Sequence, residues 1–435
     1  MAQQQISGSK NPWSFVPSLY FAQGIPFIIV NQLSVAMLKS MGVSNELIGL
    51  TNFLYLPWSF KFLWSPIVDT YNTKRWWLIM MQFVLAVGFL SMAIVMKVSP
   101  DLMPMIIIFS MIAFVSATHD IAIDGYYLYA LDDGNQALFS GIRSAFYRVA
   151  MIFSGGLLAF IAGEVGTKYL DIRFGWVVSF AVASIVMFAI WIYHRFTLPN
   201  VEINRVKSET KESIPFGKIF KDYFKQDKIG VVIAFILVYR LGEAILLKMV
   251  QPFLMDKPEV GGLGIPLKDV GIIYGTFGIL ALVFGGILGG WLVKKYGLRK
   301  AILPLAFIMH LPNLLYVYLA ATLPTGHWGV NLFSISFDIY PIAQICVLLE
   351  QFGYGIGFTA FMVFLLRTSK GEYKTSHYAI STGIMALGMI LPGAVSGIIQ
   401  HSAGYFWLFL ICSILTIPSL LLIKFLPIGD DNIKG

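Results

Sequence analysis

Ten ionisable side chains lie inside long apolar stretches of this sequence. Lys61, His119, Asp120, Asp124 and Arg148 fall in the first half, and Arg240, Glu243, Lys248, His310 and Glu350 in the second. At the centre of a bilayer a charge costs at least about 2.5–3.5 kcal/mol on insertion scales, so charges retained there mark ion paths, proton relays or ligand contacts. Asp120 and Asp124 are four apart and share one helical face. Two carboxylates that close in low dielectric repel each other unless a cation intervenes, and Arg148 is the natural counter-charge. Arg240 and Glu243, three apart, can pair within one helix, which by itself only makes insertion tolerable. Glu350 stands beside Gln351 and Tyr354, just before Gly353, Gly355 and Gly357, with no partner on its own helix, which suits a proton carrier. Lys61 either joins this interior set or snorkels to the membrane surface. His310 beside Pro312 reads as a packed, hydrogen-bonded residue, whereas His119 reads either way. Gln23 and Asn31, flanking Gly24 and Pro26, supply amides suited to a hydroxyl- or amide-rich ligand or to ordinary helix contacts. No nucleophile elbow, zinc spacing or phosphate-binding loop is found, and no cofactor is expected. Cys346 and Cys412 read as packing residues.

The elements that must carry these groups follow from composition. Of 435 residues 57% are hydrophobic and 12% charged, where soluble domains run at about 25% charged. That excludes a water-soluble enzyme and a nucleic-acid binder, and the mean hydropathy of +0.75 points to a polytopic membrane protein. Crossing a hydrocarbon core takes about 20 residues, and only helices satisfy their own backbone there. Apolar windows predict helices at about 13–38, 46–69, 76–97, 102–130, 137–163, 173–197, 229–255, 268–293, 301–321, 340–366, 377–400 and 404–426. The polar start MAQQQISGSK is followed at once by a full-length span, so no cleaved signal peptide is expected. The polar stretch 199–228 divides the spans six and six, giving bundles at 1–198 and 229–435 with a linker between them. Within it, GKIFKDYFK reads as a short amphipathic helix on the membrane surface. With the N-terminus cytoplasmic, 21 of the 31 lysines and arginines fall on the cytoplasmic side and six outside, so both termini are expected there. The net charge of +8 then reflects topology rather than a nucleic-acid surface.

An internal repeat supports the division. SPIVDTYNTKR (65–75) aligns without gaps on GWLVKKYGLRK (290–300), matching Val68 to Val293 and Tyr71 to Tyr296, each at the end of the second helix of its half. Parallel repeats of six helices are the build of major facilitator transporters, and the segment resembles that superfamily's loop motif, with Asp69 and Arg75 as cytoplasmic gate residues. The expected fold is thus all-α and membrane-integral, a major facilitator fold of twelve transmembrane helices in two six-helix bundles.

FKFLWSPIVD (60–69), SATHDIAIDGY (116–126), YRVAMIFSGG (147–156), YRLGEA (239–244) and LLEQFGYGIGFTAFMVFLL (348–366) resemble the AmpG permease family of that superfamily, which is related to acetyl-coenzyme A transporters. The resemblance implies proton-driven import of peptidoglycan turnover products, anhydro-amino-sugar disaccharides with or without a peptide, across the bacterial inner membrane. It implies proton coupling at Asp120, Asp124, Glu243 and Glu350. Substrate contacts would come from Gln23, Asn31, Lys61, His119, Arg148, Arg240, Gln351 and Tyr354. The partners implied are a small-molecule substrate, protons and the lipid bilayer, with no nucleic acid, and a monomer is the superfamily default. His119 and Arg240 depart from the family pattern, which has glutamine and lysine there. Three other readings remain: a carrier of acyl-coenzyme A or another anionic metabolite using Lys61, Arg148, Arg240 and Lys248; a multidrug exporter; and a membrane sensor without transport. SAFYRVAMIFSGG (144–156) lacks the proline of the antiporter motif, which argues against the exporter.

Overall fold

Long apolar runs become helices here, and where proline, glycine or a buried polar group interrupts a run, the helix bends or breaks. The computed structural model describes residues 11–99, 101–200, 216–332, 335–369 and 374–428. We number the crossing helices α1 (Pro12–Ser40), α2 (45–70), α3 (Lys74–Val98), α4 (Leu102–Ala130), α5 (133–169) and α6 (Ile172–Thr197). They continue as α7 (Ile229–Met255), α8 (Leu267–Tyr296), α9 (Leu298–Thr322), α10 (Pro341–Thr368), α11 (374–403) and α12 (405–425).

Ten stretches among the described residues are helical, long and apolar enough to cross a membrane. The count reaches twelve for two local reasons. Segment 45–70 is helical throughout but broken into short α and 3-10 turns, with prolines 57 and 66 each opening a new turn. The last stretch, Ile380–Phe425, contains Gly404 at φ +79°, a positive-φ conformation that kinks the chain and separates α11 from α12. In α1, Pro26 removes a backbone donor, and Ile29–Leu33 follows as a π turn, a widened stretch typical of functional helices.

One element lies outside the helical expectation. Strands β1 (Trp328–Leu332) and β2 (Ile335–Ile339) pair antiparallel between α9 and α10, with Trp328 opposite Ile339. Counting helix-length apolar windows finds nothing in a connection this short. The backbone N–H of Asp338 donates to Asp269 Oδ1 at 3.1 Å, which ties the hairpin to the first turn of α8.

The chain forms two compact units, Met1–Met37 with Leu54–Thr210, and Leu38–Phe53 with Lys211–Gly435. In the first, Phe15, Leu19, Leu78, Ile123 and Tyr126 form a buried apolar cluster. In the second, Phe235, Tyr239, Ile302, Met309 and Phe361 do so, with the Tyr239 and Phe361 rings stacked at 4.6 Å. Lipid is as apolar as leucine, so helices in a membrane associate by close packing and polar contacts rather than by hydrophobic burial. Glycines supply the closeness. A Cβ on Gly285 would lie 2.1 Å from the Phe352 carbonyl oxygen, and one on Gly355 2.3 Å from that of Leu282, so α8 and α10 meet backbone to backbone.

The segment 38–53 joins the second unit by the same means. A Cβ on Gly397 would sit 1.8 Å from the Asn45 carbonyl oxygen. Asn45 Nδ2 donates to Gln400 Oε1 at 2.7 Å and to Tyr405 Oη at 2.8 Å, while Lys39 Nζ pairs with Asp256 at 2.6 Å. The aligned segments 65–75 and 290–300 each close the second helix of a set of six and open the third. Of the polar connector, residues 201–215 lie outside the described residues. Its helix, Phe216–Phe224, is present and amphipathic in its contacts. Ile219 and Tyr223 are buried, with Tyr223 Oη 2.9 Å from Ser381 Oγ on α11, while Phe220 and Phe224 remain exposed.

Candidate functional site

Each unit holds a polar cluster. In the first, α4 supplies the acids: Asp120 and Asp124 project one turn apart from a 29-residue helix. Asp120 accepts from Gln23 Nε2 of α1 on one oxygen and pairs with Lys61 Nζ of α2 on the other. Lys61 begins a 3-10 turn, Lys61–Leu63, so the break in α2 sits at the residue that meets the acid. Asp124 Oδ1 accepts from Arg143 Nη2 at 3.1 Å and from Tyr20 Oη at 3.4 Å. The Arg143 guanidinium carbon lies 4.4 Å from the Tyr20 ring centre and 4.6 Å from that of Tyr127, so two aromatic faces and one carboxylate hold it. Two acids thus meet two cations. Both pairs are accessible: the side chains of Asp120 and Asp124 keep 17% and 43% of their surface exposed.

This corrects the expected counter-charge. Arg148 makes no hydrogen bond or ion pair among the described residues, and Arg143 takes the position at Asp124. Five residues rotate a helix by about 140°, so the two arginines of α5 face different ways. Arg143 is one of the 21 lysines and arginines counted on the cytoplasmic side, not among the ten interior charges. Asn31 Nδ2 donates to the Phe27 carbonyl at 2.9 Å, inside the π turn region of its own helix. His119 is fully buried, and neither ring nitrogen has a hydrogen-bond partner among the described residues.

In the second unit the acids are sealed. Helix α7 breaks at Arg240, whose backbone (φ −109°, ψ 11°) leaves the helical region between Ile229–Tyr239 and Leu241–Met255. The break removes the three-residue helical spacing, and Arg240 and Glu243 form no ion pair, contrary to the pairing their positions allow. Glu243 Oε1 instead accepts from Asn313 Nδ2 at 2.8 Å and lies 3.3 Å from His310 Nδ1. His310 is hydrogen-bonded on its other side to Ser419 Oγ at 3.4 Å, consistent with a packed residue. Glu350 Oε2 accepts from Gln351 Nε2 at 2.9 Å and from Tyr316 Oη at 3.3 Å, so it has a neutral partner on its own helix after all. Glu243, Glu350, Asn313 and Tyr316 are fully buried. Glu243 Oε2, Glu350 Oε1 and Asn313 Oδ1 have no hydrogen-bond partner among the described residues.

Arg240 is bound to the Tyr354 hydroxyl, with its guanidinium 4.7 Å from the Phe358 ring centre and its Nε unpartnered. Lys248 is 5% exposed and makes no hydrogen bond or ion pair among the described residues. Asn313, Tyr316 and Tyr20 are not among the residues the sequence singles out; their signal is neutral polarity within a span, which many packing residues share. Of the two gate residues, the Asp69 side chain lies outside the described residues. Arg75 donates through Nε to the Leu198 carbonyl at 3.0 Å and through Nη2 to that of Arg195 at 2.8 Å, capping the end of α6.

The comparisons agree on the kind of protein. The profile of the Major Facilitator Superfamily matches residues 18–349. The anhydromuropeptide permease of Escherichia coli (strain K12) is 24% identical over 437 residues, spanning 97% of this chain and 81% of that protein. A protein named putative transporter AmpG 2, from Rickettsia prowazekii (strain Madrid E), is 24% identical over 425 residues, 95% of each chain. Among solved structures a D-xylose-proton symporter superposes with a TM-score of 0.71 at 12% identity, covering 95% of this chain and 97% of that one. The structural likeness is one of fold.

Proposed function

The chain belongs to the major facilitator superfamily, and we propose that it is a proton-coupled secondary transporter importing muropeptides, anhydro-amino-sugar disaccharides from peptidoglycan, across the bacterial inner membrane. The observation that carries the substrate class is the match to an anhydromuropeptide permease across 97% of this chain. The two polar clusters support a division of work. Glu243 and Glu350 are the proton-carrying pair, because each is fully buried, meets no lysine or arginine among the described residues, and leaves one oxygen unpartnered there. Asp120 and Asp124 hold Lys61 and Arg143 in place in an accessible cluster and take part in coupling through those pairs. Either Arg148 or Arg240 meets the ligand's carboxylate. Gln23, Asn31, Gln351 and Tyr354 bond its hydroxyls and amides. Both termini are cytoplasmic and the working form is a monomer.

The test is uptake of labelled anhydro-disaccharide into proteoliposomes with and without an inward proton gradient. Gradient-stimulated uptake supports both substrate and coupling, and no uptake by folded, inserted protein removes the muropeptide reading. A second reading, transport of an anionic metabolite such as an acyl-coenzyme A, is favoured by one observation. Arg148 and Lys248 carry no counter-charge among the described residues, and an anion would supply it. Competition of the disaccharide uptake by acyl-coenzyme A separates the two.

A further inference from the structure

Within the first unit, α3 and α6 enclose a groove of about 780 Å³. Its floor is aromatic: the Phe83 and Trp191 rings lie 5.1 Å apart, and Met80 and Phe196 form exposed walls. One end of the groove is cationic. Arg75, at the start of α3, is fixed there by the two α6 carbonyls it caps, which leaves one guanidinium nitrogen unused by them. Arg195, in the last turn of α6, is exposed, with its guanidinium carbon 6.0 Å from the Trp191 ring centre. No carboxylate is among the described residues that line the groove.

Both helices are of membrane-crossing length and composition, so the apolar floor faces acyl chains rather than water. Two guanidinium groups at one mouth and a long apolar floor behind them match one molecule with a phosphate at its head and hydrocarbon behind it. A free phosphate would use the arginines and leave the floor unused. A zwitterionic lipid would fill the floor but bring its own cation to the arginines. Basic pockets between transmembrane helices on the cytoplasmic side are where anionic headgroups settle.

We propose that the α3–α6 groove binds one anionic glycerophospholipid, its phosphate at Arg75 and Arg195 and an acyl chain along Met80, Phe83 and Trp191. The leaflet is the one facing residues 199–228, which is cytoplasmic in the orientation proposed above; the site itself does not depend on the transported substrate.

Native mass spectrometry of the full chain in detergent tests it, with phosphatidylglycerol, phosphatidylcholine of the same chains, and inorganic phosphate as probes. The wild-type protein should retain one phosphatidylglycerol about tenfold in preference to phosphatidylcholine, and Arg195→Ala should weaken retention about fivefold while Arg195→Lys largely keeps it. Met80→Trp fills the floor with both arginines intact and should also lose the lipid. Arg195 and Met80 are exposed, and an unchanged melting temperature in lipid-free detergent certifies that the variants fold. Equal retention of the two lipids, retention unaffected by both Arg195→Ala and Met80→Trp, or displacement by millimolar phosphate alone would each overturn the site.

Discussion

The two polar clusters solve the same problem in opposite ways. In the first unit each carboxylate is matched by a cation, Asp120 by Lys61 and Asp124 by Arg143, and all four side chains keep part of their surface accessible. In the second unit Glu243 and Glu350 are fully buried, and their hydrogen-bonding neighbours among the described residues are amides, a phenol and an imidazole rather than lysine or arginine. An ion pair fixes charge and position together. A buried carboxyl that no lysine or arginine meets can settle its charge with a proton, on itself or on a neighbouring imidazole, because an unpaired ion in such a place costs several kcal/mol. On the proposed reading, the first unit carries standing charge and the second changeable charge.

The largest effect that would break this contrast is expected at Asp124. Asp124→Asn strands Arg143 between two tyrosines, and uptake in proteoliposomes should fall to background with membrane expression intact; wild-type rates would remove the first cluster from transport. Glu350→Gln keeps shape and hydrogen bonding but cannot carry a proton. It should lose stimulation by an inward proton gradient while substrate counterflow persists, and equal loss of both activities would place Glu350 with the fixed charges.

Stability provides a finer test. Asn313→Leu removes the nearer donor to a fully buried carboxyl oxygen and should cost about 1–3 kcal/mol, read by thermal unfolding. Gln23→Leu leaves Asp120 with Lys61 and partial solvent access, so a loss of roughly 0.5–1 kcal/mol is expected. The reverse ranking would show that the first cluster is the drier one. Smallest of all should be the coupling between Asp124 and Arg143 in a double-mutant cycle. Their side chains are 43% and 34% exposed, and pairs that accessible contribute about 0.2–1 kcal/mol.

Much of the fold was written in hydropathy, because a bilayer forces helices of about 20 residues wherever apolar runs are long enough. The twelve predicted spans correspond to the twelve helices, including α2, which keeps its place although Pro57 and Pro66 break it into turns. The hairpin at 328–339 was illegible to that reasoning because it is too short to span. The chemistry was legible as a set of residues and much less so as a set of partners. Ionisable positions could be counted from the sequence, but Arg143 meets Asp124 across a helix boundary nineteen residues away, a distance no helical periodicity reports. Arg240 and Glu243 had the right spacing and lost it to a backbone break at Arg240 itself. The transfer of 38–53 to the second unit rests on glycine contacts such as Gly397 at Asn45, and three-dimensional closeness of that kind leaves no local mark.

The glycine contact between α8 and α10 bears on Glu350. Gly355 lies five residues beyond it on α10, and with carbonyl oxygens of one helix pressed against α-carbons of the other, no side chain is left between them to rotate and absorb a shift. The two backbones have no slack. On the proposed proton-carrying role of Glu350, an elastic joint would let α10 relax alone; a joint this stiff would make α8 follow, delivering a local change in charge as the displacement of a two-helix plate.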